Sequence, residues 1–153
     1  MPEVLAEPRV LDRLPTRGVD LAGRCPGGGG GTPGLLRSAY EVSLGILHAV
    51  EREIRPGATP SGLFDLAERM AGEAGLGEHF RHRMGHGIGM DVHERPFLSE
   101  EDQTPLEAGM TFTDEPSIII PGRFSVRIEN IVVCEEGGGR ILNDYPTALV
   151  ANS

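Results

Sequence analysis

Apolar residues on two stretches of the chain return at helical spacing. On the first, Leu36, Ala39, Tyr40, Ile46, Leu47, Val50 and Ile54 fall on one stripe of a 3.6-residue helix. Thr32-Pro33 reads as an N-cap followed by proline at the first helical position, and Arg55-Pro56-Gly57 ends the pattern. Thr59-Pro60 repeats the start signal, and Leu63, Leu66, Ala67, Met70, Ala71 and Ala74 carry a second stripe that Gly75 and Gly77 stop. Beyond Phe80 the period shortens to extended runs at 110–113, 117–120, 125–134 and 140–142, the last two joined as a hairpin by the glycine-rich turn 136–139. Two helices followed by strands predict an α+β domain whose chemistry-bearing residues converge within one sheet.

The N-terminal part has no such period. Its glycine run 27–31, between Pro26 and Pro33, holds no regular element and reads as a flexible connection. The chain thus divides into an irregular segment, 1–31, and an ordered domain, 32–153. A length of 153 residues suits one ordinary domain, and no internal repeat is visible.

Composition excludes several classes of function. The formal net charge is -9 and all 14 basic residues are arginine, so there is no basic stripe for nucleic acid and no lysine for a Schiff base. No apolar run approaches the roughly 20 residues that span a bilayer, and Glu3, Glu7 and Pro8 do not form a secretory signal. Cys25 and Cys134, far apart in sequence, read as reduced thiols of a cytoplasmic protein.

The chemistry concentrates between Arg81 and Pro96, in R-H-R-M-G-H-G-I-G-M-D-V-H-E-R-P. His86 lies between glycines that permit close backbone approach, as in a rigidly held site or a flexible turn. His82 and His93 flank it, each either a surface histidine or a proton-transfer group. Downstream, Glu115 in T-D-E-P and Glu129 in R-I-E-N sit within apolar runs, where a carboxylate needs a counter-charge. Arg127 supplies one such partner, since residues two apart on a strand share a face; a metal ion supplies another. Mixed carboxylate and imidazole donors favour Mn, Co, Zn or Fe.

These motifs, G-H-G-I-G-M-D-V-H-E-R-P and G-M-T-F-T-D-E-P-S-I-I-I-P-G-R-F-S-V-R-I-E-N, resemble the pita-bread metallopeptidases: methionine aminopeptidases, Xaa-Pro aminopeptidases, Xaa-Pro dipeptidases and creatinases. The likeness covers residues 35–142 and is strongest to the prolyl-dipeptide branch. It implies a curved antiparallel sheet backed by helices, with two divalent metal ions in its concave face. It also implies His86 and Glu115 as ligands of one metal, Glu129 as a carboxylate bridging both, and His82 and His93 as groups that orient substrate. Arg127 is implied to fix the bridging carboxylate. The implied activity is metal-assisted hydrolysis at the N-terminus of short peptides, with a homodimer as the allowed assembly.

The pattern departs from the family in the first part, which is incomplete. The family places two aspartates on a hairpin before the first helix; here Asp12 and Asp20 lie nearby but closer together, without the usual Thr-Arg-Thr tail. Asp114 replaces an aliphatic residue, Ser117 a glycine and Asn130 an aspartate. The chain resembles the second part of a longer protein, read as a fragment, a frameshifted product or a diverged paralogue. Three functions stay open: an Xaa-Pro dipeptidase or aminopeptidase, a catalytically silent pita-bread binding domain, and a creatinase-like hydrolase.

Overall fold

The computed structural model describes residues 32–80, 83–144 and 146–147. The irregular segment expected at 1–31, with the glycine run 27–31, Asp12, Asp20 and Cys25, lies outside the described residues, as does His82.

Helix α1 spans Thr32–Glu53 and buries the six stripe residues within it, and Ile54, just past its end, is buried as well. Helix α2, Pro60–Glu73, begins where the Thr59 Oγ1 accepts the Gly62 amide at 3.2 Å, an N-cap contribution worth about 1 kcal/mol. It ends in a Schellman motif: Leu76 N donates to Ala71 O, Gly75 N donates to Gly72 O, and Gly75 takes a φ of 73°. Leu63, Ala67 and Ala71 are buried from the second stripe, whereas Ala74 is the exposed C-cap. A 3₁₀ turn, Gly77–His79, leads into the sheet.

The strands are β1 (His86–Gly87), β2 (Glu94–Phe97), β3 (Thr111–Asp114), β4 (Ser117–Ile120), β5 (Phe124–Arg127), β6 (Asn130–Glu135) and β7 (Gly138–Ile141). All described pairings are antiparallel. A five-stranded sheet has the order β2-β1-β3-β6-β7, and β4-β5 form a separate two-stranded hairpin. Helix α1 packs on β3, β4, β5 and β7, so helices cover one face in an α+β arrangement.

Three expectations change. The run 125–134 is not one strand: β5 pairs with β4, and after Ile128-Glu129 the chain pairs with β3 instead. Continuous apolar character hid this change of partner. In consequence the site residues are divided between two sheets, and Arg127 and Glu129 are not two positions of one strand. The short strands β1 and β2 carry too few residues, and too much glycine and proline, for a period-two signal. The β6-β7 turn is tighter than 136–139, because Glu135 pairs with Gly138. At Gly139 a Cβ would come within 3.0 Å of the Ile54 side chain, so glycine lets β7 close on the end of α1.

Candidate functional site

Strand β3 separates two environments by its period of two. Thr113 and Glu115 face β1 and the hairpin, whereas Asp114 sits opposite Asn130, whose side chain bonds Glu51 on α1 at 2.6 Å.

Gly85 and Gly87, on either side of His86, are sterically required because backbone fills the space of a Cβ, whereas at Gly89 only the movable Glu94 side chain does. A Cβ on Gly85 would run into the Thr113 carbonyl, one on Gly87 into the Arg95 carbonyl, and one on Gly89 into the Glu94 carboxylate. They bring β1 against both neighbours. The His86 amide then donates to Thr113 Oγ1 at 3.0 Å, and the Thr113 hydroxyl donates to Glu115 Oε1 at 3.0 Å. One threonine thus ties together residues 29 apart in sequence, and Glu115 N donates to Met84 O at 2.7 Å.

His86 Nε2 lies 3.3 Å from Glu115 Oε1, with both side chains almost fully buried. The other ring nitrogen, Nδ1, lies 3.1 Å from the Gly87 carbonyl. A carbonyl only accepts, so Nδ1 carries the hydrogen and the lone pair of the neutral ring sits on Nε2, facing a carboxylate oxygen. Two lone-pair donors converging in a buried place fit a cation. The His93 ring lies against this one, tilted by 48° with centroids 4.2 Å apart.

Arg127 reaches Glu115 from the hairpin: its Nη1 is 3.0 Å from Glu115 Oε2, and its Nε donates to Ser117 Oγ at 2.7 Å. The resemblance implied that Arg127 fixes Glu129; the structure places Arg127 on Glu115 as well. Glu129 is partly buried at the junction of β5 and β6. Among the described residues, no three side chains of His, Cys, Asp and Glu converge closely enough to hold a metal ion. The structure therefore assembles His86, His93, Glu115 and Arg127. It does not join Glu129 to them as a third ligand.

Sequence reasoning passed over Thr113 and Ser117. Thr113 stands two before Glu115, the spacing that puts both on one face, and this was the available signal. Behind the site, burial pushes the Asp114 carboxyl well above the usual carboxylate range, aided by the charges of Glu51 and Glu115. Burial also raises Glu51, against the opposing effects of the Asn130 amide, His48 and Arg52.

Residues 28–136 match the metallopeptidase family M24. The chain is similar to a probable dipeptidase PepE of Mycobacterium tuberculosis, with 44% identity over 115 residues, 75% of this chain and 31% of that protein. It is also similar to an Xaa-Pro dipeptidase of Lactobacillus delbrueckii subsp. lactis, 44% identical over 103 residues, 67% of this chain and 28% of the relative. The crystal structure of dipeptidase PepE from Mycobacterium ulcerans superposes with a TM-score of 0.74 at 39% identity, covering 80% of this chain and 33% of that one. The chain spans about a third of the length of the curated relatives it matches. Among the described residues no helix is long and apolar enough to cross a membrane. With the pita-bread fold of those peptidases and a pair of His86 on β1 and Glu115 just after β3, this chain belongs to the metallopeptidase family M24.

Proposed function

We propose that residues 32–153 form the catalytic domain of a metal-dependent hydrolase acting at the N-terminus of short peptides, in the manner of an Xaa-Pro dipeptidase or aminopeptidase. The observation that carries this reading is the buried His86–Glu115 pair, with Nε2 and Oε1 3.3 Å apart and Nδ1 turned to the Gly87 carbonyl, which leaves Nε2 as the ring nitrogen that faces the carboxylate. His86 Nε2 and Glu115 Oε1 would hold a divalent ion, Mn, Co, Zn or Fe, and the family resemblance assigns Glu129 to the same pair of ions. When bound, two such ions polarise a carbonyl and acidify a water molecule.

The chain's own residues do the rest. Gly87 O holds the His86 ring with Nε2 inward. Thr113 and Arg127 occupy the two oxygens of Glu115 from opposite sides and fix its plane. His93, exposed beside the His86 ring, orients the substrate and exchanges protons with it, together with His82. A cytoplasmic location accompanies this reading, supported by Cys134 as a buried free thiol.

The test measures Mn2+ uptake by the purified full chain and its hydrolysis of X-Pro dipeptides with Mn2+ or Co2+, before and after chelation. Uptake and turnover that both vanish in His86→Ala support the assignment; a folded chain with neither refutes it. Activity that survives chelation points instead to a creatinase-like hydrolase. A second reading, a metal-free binding domain, is favoured by the lack of a three-ligand group among the described residues. Peptide binding that persists in His86→Ala without metal supports that alternative.

A further inference from the structure

Ser117 and Arg127 face each other directly in the β4-β5 register, and Ser117 is buried at 6% exposure. Its hydroxyl proton is committed, because Oγ donates to the Glu115 backbone carbonyl at 3.1 Å. The oxygen lone pairs are left for Arg127, whose Nε donates to the same Oγ at 2.7 Å. The serine thus grips two parts of the site at once, the main chain of Glu115 and the guanidinium that binds its side chain.

This decides how Arg127 meets its carboxylate. A free guanidinium prefers a bidentate fork on both carboxylate oxygens. Here the fork is divided, with Nε on Ser117 and Nη1 on Glu115 Oε2 alone, so Oε1 stays turned toward His86 Nε2 and Thr113. We propose that Ser117 is a positioning residue for the Glu115 carboxylate, dividing the Arg127 guanidinium so that one oxygen remains available beside His86. Without the hydroxyl, the guanidinium turns its two Nη groups onto both oxygens, releasing Nε, and neutralises the donor that a cation requires. The inference rests on the metal-binding reading given above for its consequence, though not for its geometry.

The experiment compares the full-length chain with Ser117→Ala and Ser117→Thr. Two quantities are read: Mn2+ affinity by titration calorimetry, and the protection of the Arg127 Nε–H resonance by 15N NMR, assigned through Arg127→Gln. Ser117→Ala is expected to lose the protected resonance and to weaken Mn2+ binding about tenfold, the range found when residues supporting a metal ligand are removed. Ser117→Thr, which keeps the hydroxyl, is expected to retain both. A resonance that survives in Ser117→Ala overturns the proposal, and so does unchanged Mn2+ affinity once the resonance is lost. If the wild-type chain takes up no Mn2+, the metal reading falls separately. The role of Ser117 is then decided by the resonance alone: loss in alanine with recovery in threonine upholds it, and retention in alanine overturns it.

Discussion

Replacing Asp114 should stabilise this protein, and the gain should grow with pH. Asp114 is fully buried on β3, and neither carboxylate oxygen has a hydrogen-bond partner among the described residues. Its neighbours in charge are Glu51 and Glu115, both acidic. Burying a polar group without a partner costs about 1–3 kcal/mol on mutational scales. Asp114→Val removes that cost and supplies a β-branched residue suited to a strand, so stability at pH 7 should rise by about that amount. For 153 residues this corresponds to a midpoint about 2–4 °C higher per kcal/mol. The direction of the pH effect follows from linkage. The folded-state pKa is raised, so above the unfolded value of about 3.9 the native state binds more protons than the unfolded one, and stability falls as pH rises. The slope reaches at most about 1.4 kcal/mol per pH unit between the two pKa values. Asp114→Asn, a neutral isostere, removes this dependence. The assay is urea denaturation of wild type and both variants from pH 4 to pH 8, in the presence of a chelator so that no cation shields Glu115. Variants no more stable than wild type at pH 8, or a gain that stays constant with pH, would refute the reasoning.

Two other perturbations follow from the packing. In Gly85→Ala the new Cβ meets the Thr113 carbonyl and the Leu98 side chain, so β1 has to move off β3. A loss of several kcal/mol is expected, as for other overpacked core sites, with weaker amide protection at His86 on hydrogen exchange. Asp102 behaves oppositely to Asp114. Burial pushes its carboxyl up, but the amides of Phe97 and Thr104, assisted by Arg95, outweigh this and hold it below the usual range. Its stabilisation is present above the unfolded pKa and is lost as pH falls through the lower folded value. Asp102→Ala should cost about 1.5–3 kcal/mol at pH 7, with a smaller difference from wild type near pH 2 by acid denaturation.

Much of the local structure was legible along the chain. The buried stripe of α1 and the Thr-Pro start of α2 appear as expected, because helix periodicity and capping are properties of neighbours within a few residues. Strand β4 matches the run 117–120, and β3 lies one residue later than expected. The strands around His86 were not legible, since a two-residue strand of His and Gly has no period to read. Asp114 stood out only as a charge in an apolar strand; its missing partner depends on what α1 brings near it.

The sequence by itself determined the element types, the histidine cluster and the acidic residues near it, because each is written within a span of a few residues. Only the tertiary structure decided which of these meet. Pairing β1 with β3 set His86 against Glu115, and the change of partner after Arg127 gave that arginine to Glu115 through Ser117. Strand pairing is a contact between residues distant in sequence, and a one-residue change of register reverses which side chains share a face. No local pattern carries that information, so the candidate site was visible as a set of residue types before it was visible as a geometry.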